Sequence, residues 1–451
     1  DPFAITQSER ETTWKRMVET KHCSFWLPKK NRYCANTLLV GDSRFCGNHN
    51  PRGEESWIPC PIDSSHTVLK ENLESHVKRC PFLKQTRFLS DQLYYCKGIN
   101  AGSDGEGDVL GEVTCEMKRR FVHGLSLPEF RNLIAKIESL HLSLCGNITN
   151  SFIIPPVCSE WINAAVGKKL PFQEKHVMQQ ASIIGNLEDF GVLQDRFSSR
   201  EDRRSCSVGA VVEFGAGRGY LTQMLADSYG IDRVILVERK AYKLKADRSL
   251  RQREDLMLER LRIDIEDLNL NAVKSLQGVS YIGVGKHLCG PATDLTLRCC
   301  LSRLKKGNGN DGIRGIAVAT CCHHLSLWKH YINKGFMTNH GITKNHFQAI
   351  TWFTSWAVDA DHTADLSKIP EESNSQQSSG ENQCIEDVEG YVRSMRPGER
   401  AMIGLKCKQI VDVGRMLWAK EHGFDARLVK YVPASISPEN SLLIVNVLDG
   451  N

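Results

Sequence analysis

Val211-Val212-Glu213-Phe214-Gly215-Ala216-Gly217-Arg218-Gly219-Tyr220 is the stretch that decides the fold. An apolar run ends in three glycines at alternate positions, and an amphipathic segment begins near Tyr220. A strand turning sharply into a helix needs glycine where the backbone must turn tightly and come close to a ligand. The dinucleotide fingerprint is G-x-G-x-x-G. Here the third glycine comes one residue early, Tyr220 takes that motif's last position, and an acid stands two residues before the first glycine.

Outward from this loop, from about residue 170, short apolar segments alternate with amphipathic ones, the pattern of a parallel sheet with crossover helices. The predicted strands are Ala210–Phe214, Arg233–Val237, Leu261–Ile265, Tyr281–Val284, Gly315–Thr320, Ala426–Tyr431 and Leu442–Val447. Seven strands, the last two joined by a Pro/Ser/Asn turn, suit an open doubly wound sheet with an antiparallel edge. Glu238 ends the second strand about 20 residues past the loop, where a carboxylate accepts hydrogen bonds from a ribose diol. Asp264 ends the third, within approach of an adenine. E-x-G-x-G-x-G is the form seen in S-adenosylmethionine-dependent methyltransferases, where no pyrophosphate has to be cradled. Glu213, Gly215, Gly217, Gly219, Glu238 and Asp264 are therefore the candidate cofactor residues, the plainer alternative being a tight turn with two surface acids.

The other end of the chain reads differently. Cys23, Cys34, Cys46 and His49 are spaced C-x10-C-x11-C-x2-H, and Cys60, His66, His76 and Cys80 are spaced C-x5-H-x9-H-x3-C. Each set offers four thiolate or imidazole ligands, enough to close a tetrahedral zinc site. Residues 21–90 are poor in long apolar stretches, and a core that small needs a staple. The alternative is scattered buried thiols and surface histidines. His22, beside Cys23, reads as a bystander. The same 70 residues hold 11 Lys/Arg against 6 Asp/Glu, so they carry the whole formal charge of +5. A basic module favours a phosphate-bearing partner.

The chain has 451 residues, 25% charged and 41% hydrophobic, which excludes collagen, coiled coil and wholesale disorder. No apolar run reaches the ~18 residues of a membrane helix, so no membrane association is expected. Asp1-Pro2-Phe3 has neither an initiator Met nor the layout of a signal peptide. Seventeen cysteines, an odd count with vicinal pairs at Cys299-Cys300 and Cys321-Cys322, predict reduced thiols, some of them on metal. An intracellular location follows, nucleus or cytoplasm. Asn100 to Gly107 reads as a flexible linker, and Pro128 to Leu144 as a helix burying Phe130, Leu133, Ile134, Ile137 and Leu140. Residues 357–390, with nine Asp/Glu and one Lys, read as a solvated acidic insertion. Arg239, Lys240, Lys243, Lys245, Arg248, Arg251 and Arg253 form a basic run that either faces phosphates or is an ordinary solvated helix face.

Further motifs complete a constellation. Lys175-His176 and Gln179-Gln180-Ala181-Ser182-Ile183 precede the glycine loop; Gly285-Lys286-His287-Leu288-Cys289-Gly290 with Thr293-Asp294, and Cys321-Cys322-His323-His324, follow it. With the CCCH and CHHC clusters these resemble the eukaryotic tRNA 2′-O-methyltransferases that modify the fourth nucleotide of the acceptor stem (the tRNA:m4X modification enzyme family), over about residues 21–450. The resemblance implies a Rossmann-like class I methyltransferase fold with small N-terminal zinc-binding modules. It divides the chain into a CCCH module at 21–52, a CHHC finger at 57–84, a linker and helical connector at 91–165, and a methyltransferase domain at 166–450. It implies S-adenosylmethionine and two structural zinc ions as cofactors, the tRNA acceptor stem as partner, and no obligate protein partner.

The lysine–histidine motif is expected to follow the fourth strand and the cysteine–histidine motif the fifth, on the carboxyl edge where substrates bind, facing each other across the methyl donor. Methyl transfer to a ribose hydroxyl is an in-line displacement that requires the oxygen to be aligned and its proton accepted. Lys286 and His287 rank first for that work by position, with Asp294, His323 and His324 as further competent groups. Cys321 to His324 read structurally would be cysteines ending a buried strand and histidines capping the next helix. Two rival functions stay open: a methyltransferase acting on a base, DNA or protein, and a non-catalytic zinc-finger RNA adaptor, since CHHC spacing also occurs in a spliceosomal protein. Gly285-Lys286-His287-Leu288 stands where base methyltransferases commonly carry Asn/Asp-Pro-Pro-aromatic, which weakens the first. The intact Glu213, Gly215, Gly217 and Glu238 weaken the second.

Overall fold

The chain divides into two compact units, residues 1–91 and 92–451. The structure is a computed structural model that describes residues 22–27, 32–36, 44–46, 57–62, 66–102, 113–167, 174–193, 208–239, 253–302, 304, 312–358 and 387–447. Most of the basic run after Arg239 and of the acidic insertion lies outside the described residues.

Among its described residues the first unit holds two antiparallel pairs, β1 (Trp26–Leu27) with β2 (Arg32–Tyr33) and β3 (Trp57–Pro59) with β4 (Thr67–Leu69), then α1 (Leu73–Arg79) and α2 (Leu83–Ser90). Its buried centres are cysteines. Cys23, Cys34 and Cys46 sit with Leu27 and Phe45, and Cys60 and Cys80 sit with Val68 and Leu73.

The second unit opens with α3 (Cys115–His123) and α4 (Leu127–Leu144). A capping box between Ser126 and Glu129 and a proline in the first turn start α4, and Phe130, Leu133, Ile137 and Leu140 form its buried stripe. Then come β5 (Thr149–Asn150), α5 (Pro156–Gly167), α6 (Glu174–Asp189), β6 (Ala210–Phe214), α7 (Tyr220–Tyr229), β7 (Arg233–Val237), β8 (Met257–Leu261), β9 (Tyr281–Cys289), α8 (Pro291–Leu301) and β10 (Ile313–Cys321). The chain ends with α9 (Lys334–Asn339), α10 (Lys344–Phe353), α11 (Val388–Ser394), α12 (Pro397–Glu421), β11 (Asp425–Lys430) and β12 (Ser441–Asn446).

These strands make one eight-stranded mixed sheet in the order β5-β11-β12-β10-β9-β6-β7-β8. β6 is buried at all five positions, as a central parallel strand covered on both faces must be. Several expectations are corrected. The antiparallel strand is not at the edge: β12 lies between β10 and β11 and runs opposite to both. The edge is an eighth strand, β5, from the stretch read as a connector. β8 lies four residues earlier than predicted, so Asp264 does not end it; its side chain accepts from the Glu266 N–H and caps a 3-10 turn, Ile265–Asp267. β9 runs to Cys289, so Lys286 and His287 are inside the strand rather than after it. Nor is Asn100 part of a flexible linker: it is fully buried and its amide donates to the carbonyls of Ile265 and Leu268 at 2.7 and 2.8 Å.

Candidate active site and metal centres

The strand order reverses between β6 and β9, whose carboxyl ends stand side by side. In open α/β sheets that is where ligands bind. Gly215, Gly217 and Gly219 all take left-handed φ values of 60°, 50° and 76°, which is why the loop carries glycine at each. A Cβ at Gly215 would meet Leu288 at 3.0 Å and one at Gly219 would meet Leu236 at 3.1 Å, whereas one at Gly217 would approach only the Gly215 carbonyl, at 4.0 Å. Gly217 is thus the place where the loop faces open space. Its N–H donates to Glu238 Oε2 at 3.1 Å, and Arg260 donates to its carbonyl at 3.2 Å. Glu238 and the loop form one wall.

Glu213 is used differently. Its carboxylate, 4% exposed, accepts the Thr222 N–H at 3.1 Å and the Thr222 hydroxyl, fastening the first turn of α7. Burial pushes its pKa up to about 7 against the pull of those bonds. Asp264 meets Arg239 at 3.2 Å.

The end of β9 carries the most unusual backbone. His287 has φ 66°, a conformation a non-glycine side chain rarely adopts. The pairing with β10 shows why: Ala319 faces Lys286 and Thr320 faces Leu288, so His287 is the extra residue of a bulge. Such a bulge re-aims a side chain and is a common companion of functional sites. Lys286 Nζ donates to His176 Nδ1 and to the His176 carbonyl, both at 3.3 Å, and the rings of His176 and His287 stand perpendicular with centroids 6.5 Å apart. Burial lowers Lys286 to about 8, with the charge of Glu213 opposing. Removal from water, then the charges of Lys286 and His176, lower His287 to about 4. A lysine near 8 and a neutral histidine side by side can hold and move a proton at neutral pH.

Asp294 and His323 lie deeper, each 1% exposed. Arg415, equally buried on α12, binds Asp294 Oδ2 at 2.6 Å and Asp412 Oδ1 at 2.9 Å, and donates to the Gly290 carbonyl at 3.4 Å. Asp412 also accepts from Thr320 at 2.7 Å and pairs with His323 Nε2 at 2.9 Å. The network ties the ends of β9 and β10 to α12. From α3, Lys118 Nζ adds bonds of 2.8 Å to the carbonyls of His324 and Ser326. The two strand-end motifs do not face each other across a gap; Cys289 and Cys321 are neighbours, Sγ to Sγ 3.3 Å. The sequence assigns His176 no role, and Arg415 and Lys118 carry no local signal. A cavity of about 280 Å³ between Arg119, His123, Trp352, Trp356, Glu389 and Arg400 holds none of the predicted residues.

In the first unit, Cys60, His66, His76 and Cys80 converge. Cys60 Sγ is 3.2 Å from His76 Nε2 and 3.9 Å from Cys80 Sγ, His66 Nε2 is 3.1 Å from His76 Nε2, and Cys80 Sγ is 3.7 Å from His66 Nε2. A tetrahedral zinc with standard bond lengths needs edges of roughly 3.8 Å between sulfurs, 3.6 Å between sulfur and nitrogen and 3.3 Å between nitrogens. The donor set fits the ion. Cys23, Cys34 and Cys46 converge likewise, with Cys34 and Cys46 4.0 Å apart; His49 lies outside the described residues.

Metal-ligand clusters in one unit and a glycine-looped α/β sheet in the other define a zinc-finger protein joined to a methyltransferase-type domain. Residues 178–446 match the family described as methyltransferase TRM13, residues 21–50 the CCCH zinc finger in TRM13 protein, and residues 57–81 the U11-48K-like CHHC zinc finger. The chain belongs to the TRM13 methyltransferase family. Its relatives named "tRNA:m(4)X modification enzyme TRM13" include one from Oryza sativa, 52% identical over 49% of this chain and 90% of its own. The homologue from Mus musculus is 30% identical over 93% of both chains, and the one from Saccharomyces cerevisiae 26% identical over 95% of this chain and 96% of its own.

Proposed function

We propose that the chain is a tRNA ribose 2′-O-methyltransferase with a Rossmann-like class I domain, acting on nucleotide 4 of the acceptor stem with S-adenosylmethionine as donor. The observation that carries this is the bulged end of β9, where Lys286, His287 and His176 meet beside the Gly217 loop. S-adenosylmethionine supplies an electrophilic methyl on a sulfonium.

The residues have separate tasks. Gly217 leaves room for the cofactor, and Glu238 exchanges its Gly217 bond for a ribose diol. Lys286 Nζ, oriented by the two acceptors of His176, takes the proton of the 2′-hydroxyl in its neutral form. His287, neutral at pH 7, donates its ring N–H to the oxygen of the same hydroxyl and aligns it. Asp294 and His323 act from behind, through Arg415 and Asp412, as positioning groups. Two zinc ions, on Cys23/Cys34/Cys46/His49 and Cys60/His66/His76/Cys80, fold the basic module at 21–90 that grips the acceptor stem of a tRNA in the nucleus or cytoplasm. Incubation of the purified protein with methyl-labelled S-adenosylmethionine and unmodified tRNA tests this. Label in an alkali-resistant dinucleotide from positions 4 and 5 is expected; label released with a free base overturns it.

A further inference from the structure

Three thiols that take no part in this chemistry meet at the same sheet edge. Cys289 is exposed, Cys321 buried and Cys322 partly buried, and all three Sγ atoms lie within 4.8 Å of one another. Cys289 and Cys321 are register partners on parallel strands, about 4.8 Å apart across a sheet and inside the roughly 4.4–6.8 Å between Cα atoms that a disulfide spans. Cys322 has φ 50°, which turns the chain out of β10 and lays its thiol against the other two.

We propose that Cys289, Cys321 and Cys322 are an oxidative modification site, at which a hydroperoxide drives formation of a disulfide between Cys289 and one of the vicinal pair. The Cys322 thiolate attacks the terminal oxygen of the hydroperoxide, an S–O bond forms, the O–O bond breaks and hydroxide (or the alkoxide of an organic hydroperoxide) leaves. The Cys289 or Cys321 thiol then attacks the sulfenic sulfur, an S–S bond forms, the S–O bond breaks, and the departing oxygen takes the thiol's proton and leaves as water. A vicinal product exchanges with Cys289, because a ring closed between adjacent residues is strained and Cys289 stands within reach. The peroxide is reduced by two electrons and the thiol pair oxidised by two. Hydrogen bonds from Cys321 and Cys289, outweighing burial, hold Cys322 below the ordinary thiol value near 8.5, so it is the first of the three to ionise. A bound metal fits less well: the 3.3 Å between Cys289 and Cys321 is shorter than the roughly 3.8 Å edge of a zinc thiolate pair, and two donors come from adjacent residues. The bridge would fasten β9 to β10 two residues beyond His287, but the site stands whatever the methyl acceptor is.

The test is peroxide treatment of the full-length, zinc-loaded protein at pH 6.5, then alkylation and peptide mapping. The expected product is a cross-linked peptide pair containing Cys289 with Cys321 or Cys322, lighter by two hydrogens and separated by dithiothreitol. Cys96 and Cys115, also exposed, should remain alkylatable. In Cys289→Ser the cross-link should vanish, and Cys322 should instead be found joined to Cys321 within one peptide or labelled by a sulfenic-acid reagent. Three thiols that stay alkylatable while Cys96 and Cys115 oxidise would overturn the proposal. So would thiols protected until a chelator strips a metal from them, counted as a third ion per chain.

Discussion

Gly217 and Glu238 are where a single residue decides most. A side chain at Gly217 enters open space rather than packed protein, so Gly217→Leu should abolish S-adenosylmethionine binding at concentrations that saturate the native protein. Glu238→Ala removes one acceptor and should weaken binding by about 10- to 150-fold, a hydrogen bond to a charged group being worth about 1.5–3 kcal/mol. Unchanged calorimetric affinity in both variants would move the pocket elsewhere. As the proposed proton acceptor, Lys286, held near 8, works in its neutral form. The rate should therefore climb with pH below about 8 and level above it, and Lys286→Ala should lose methyl transfer and this limb while keeping tRNA and cofactor binding. A rate already flat from pH 6.5 to 9 in single-turnover assays would exclude Lys286 as the proton acceptor. The glycine loop was legible in the sequence because its geometry is local. The approach of His176 to Lys286 was not, since 110 residues separate them and only the fold joins them.

At the scale of elements, α12 holds the site in shape. Arg415→Leu leaves Asp294 and Asp412 buried without their cation, a loss of about 3–5 kcal/mol that urea unfolding should register. Burial would raise Asp412, but His323 and Arg415 outweigh it and hold it at about 2. A carboxylate held below its unfolded value near 3.9 adds stability above that pH and loses it as pH falls toward 2. Stability should thus decline between about pH 4 and 2, and Asp412→Asn should remove that step; an identical acid profile in the variant would mean the pair contributes nothing. Seven strands of the large sheet were legible, their limits less so. Leu261, Ile263 and Ile265 alternate and read as a strand, yet β8 pairs Met257–Leu261 with β7 and leaves Asp264 to cap a turn. The extension of β9 through His287 depends on a bulge, which periodicity does not reveal. β5 escaped because two residues carry no period at all.

For the whole molecule, the division of labour follows the charge. Residues 21–90, with a net charge of +5, carry the metal ligands, while the glycine loop and the lysine–histidine cluster share the second unit. Metal analysis should find two zinc ions per chain, and chelation should unfold the first unit while the sheet persists; fewer than one zinc in never-chelated protein would contradict this. Deleting residues 21–90 should weaken tRNA binding and flatten its salt dependence by about 0.7–0.9 for each phosphate no longer neutralised, leaving cofactor affinity nearly unchanged. The two-unit layout was legible because cysteine spacing and strand–helix alternation are both read along the chain. The proposed methyl acceptor is the ribose oxygen at nucleotide 4, and a tRNA carrying 2′-deoxyribose at that position alone is the decisive substrate. That tRNA should bind as tightly as the normal one and accept no methyl group, whereas methylation at the normal rate would contradict the ribose assignment.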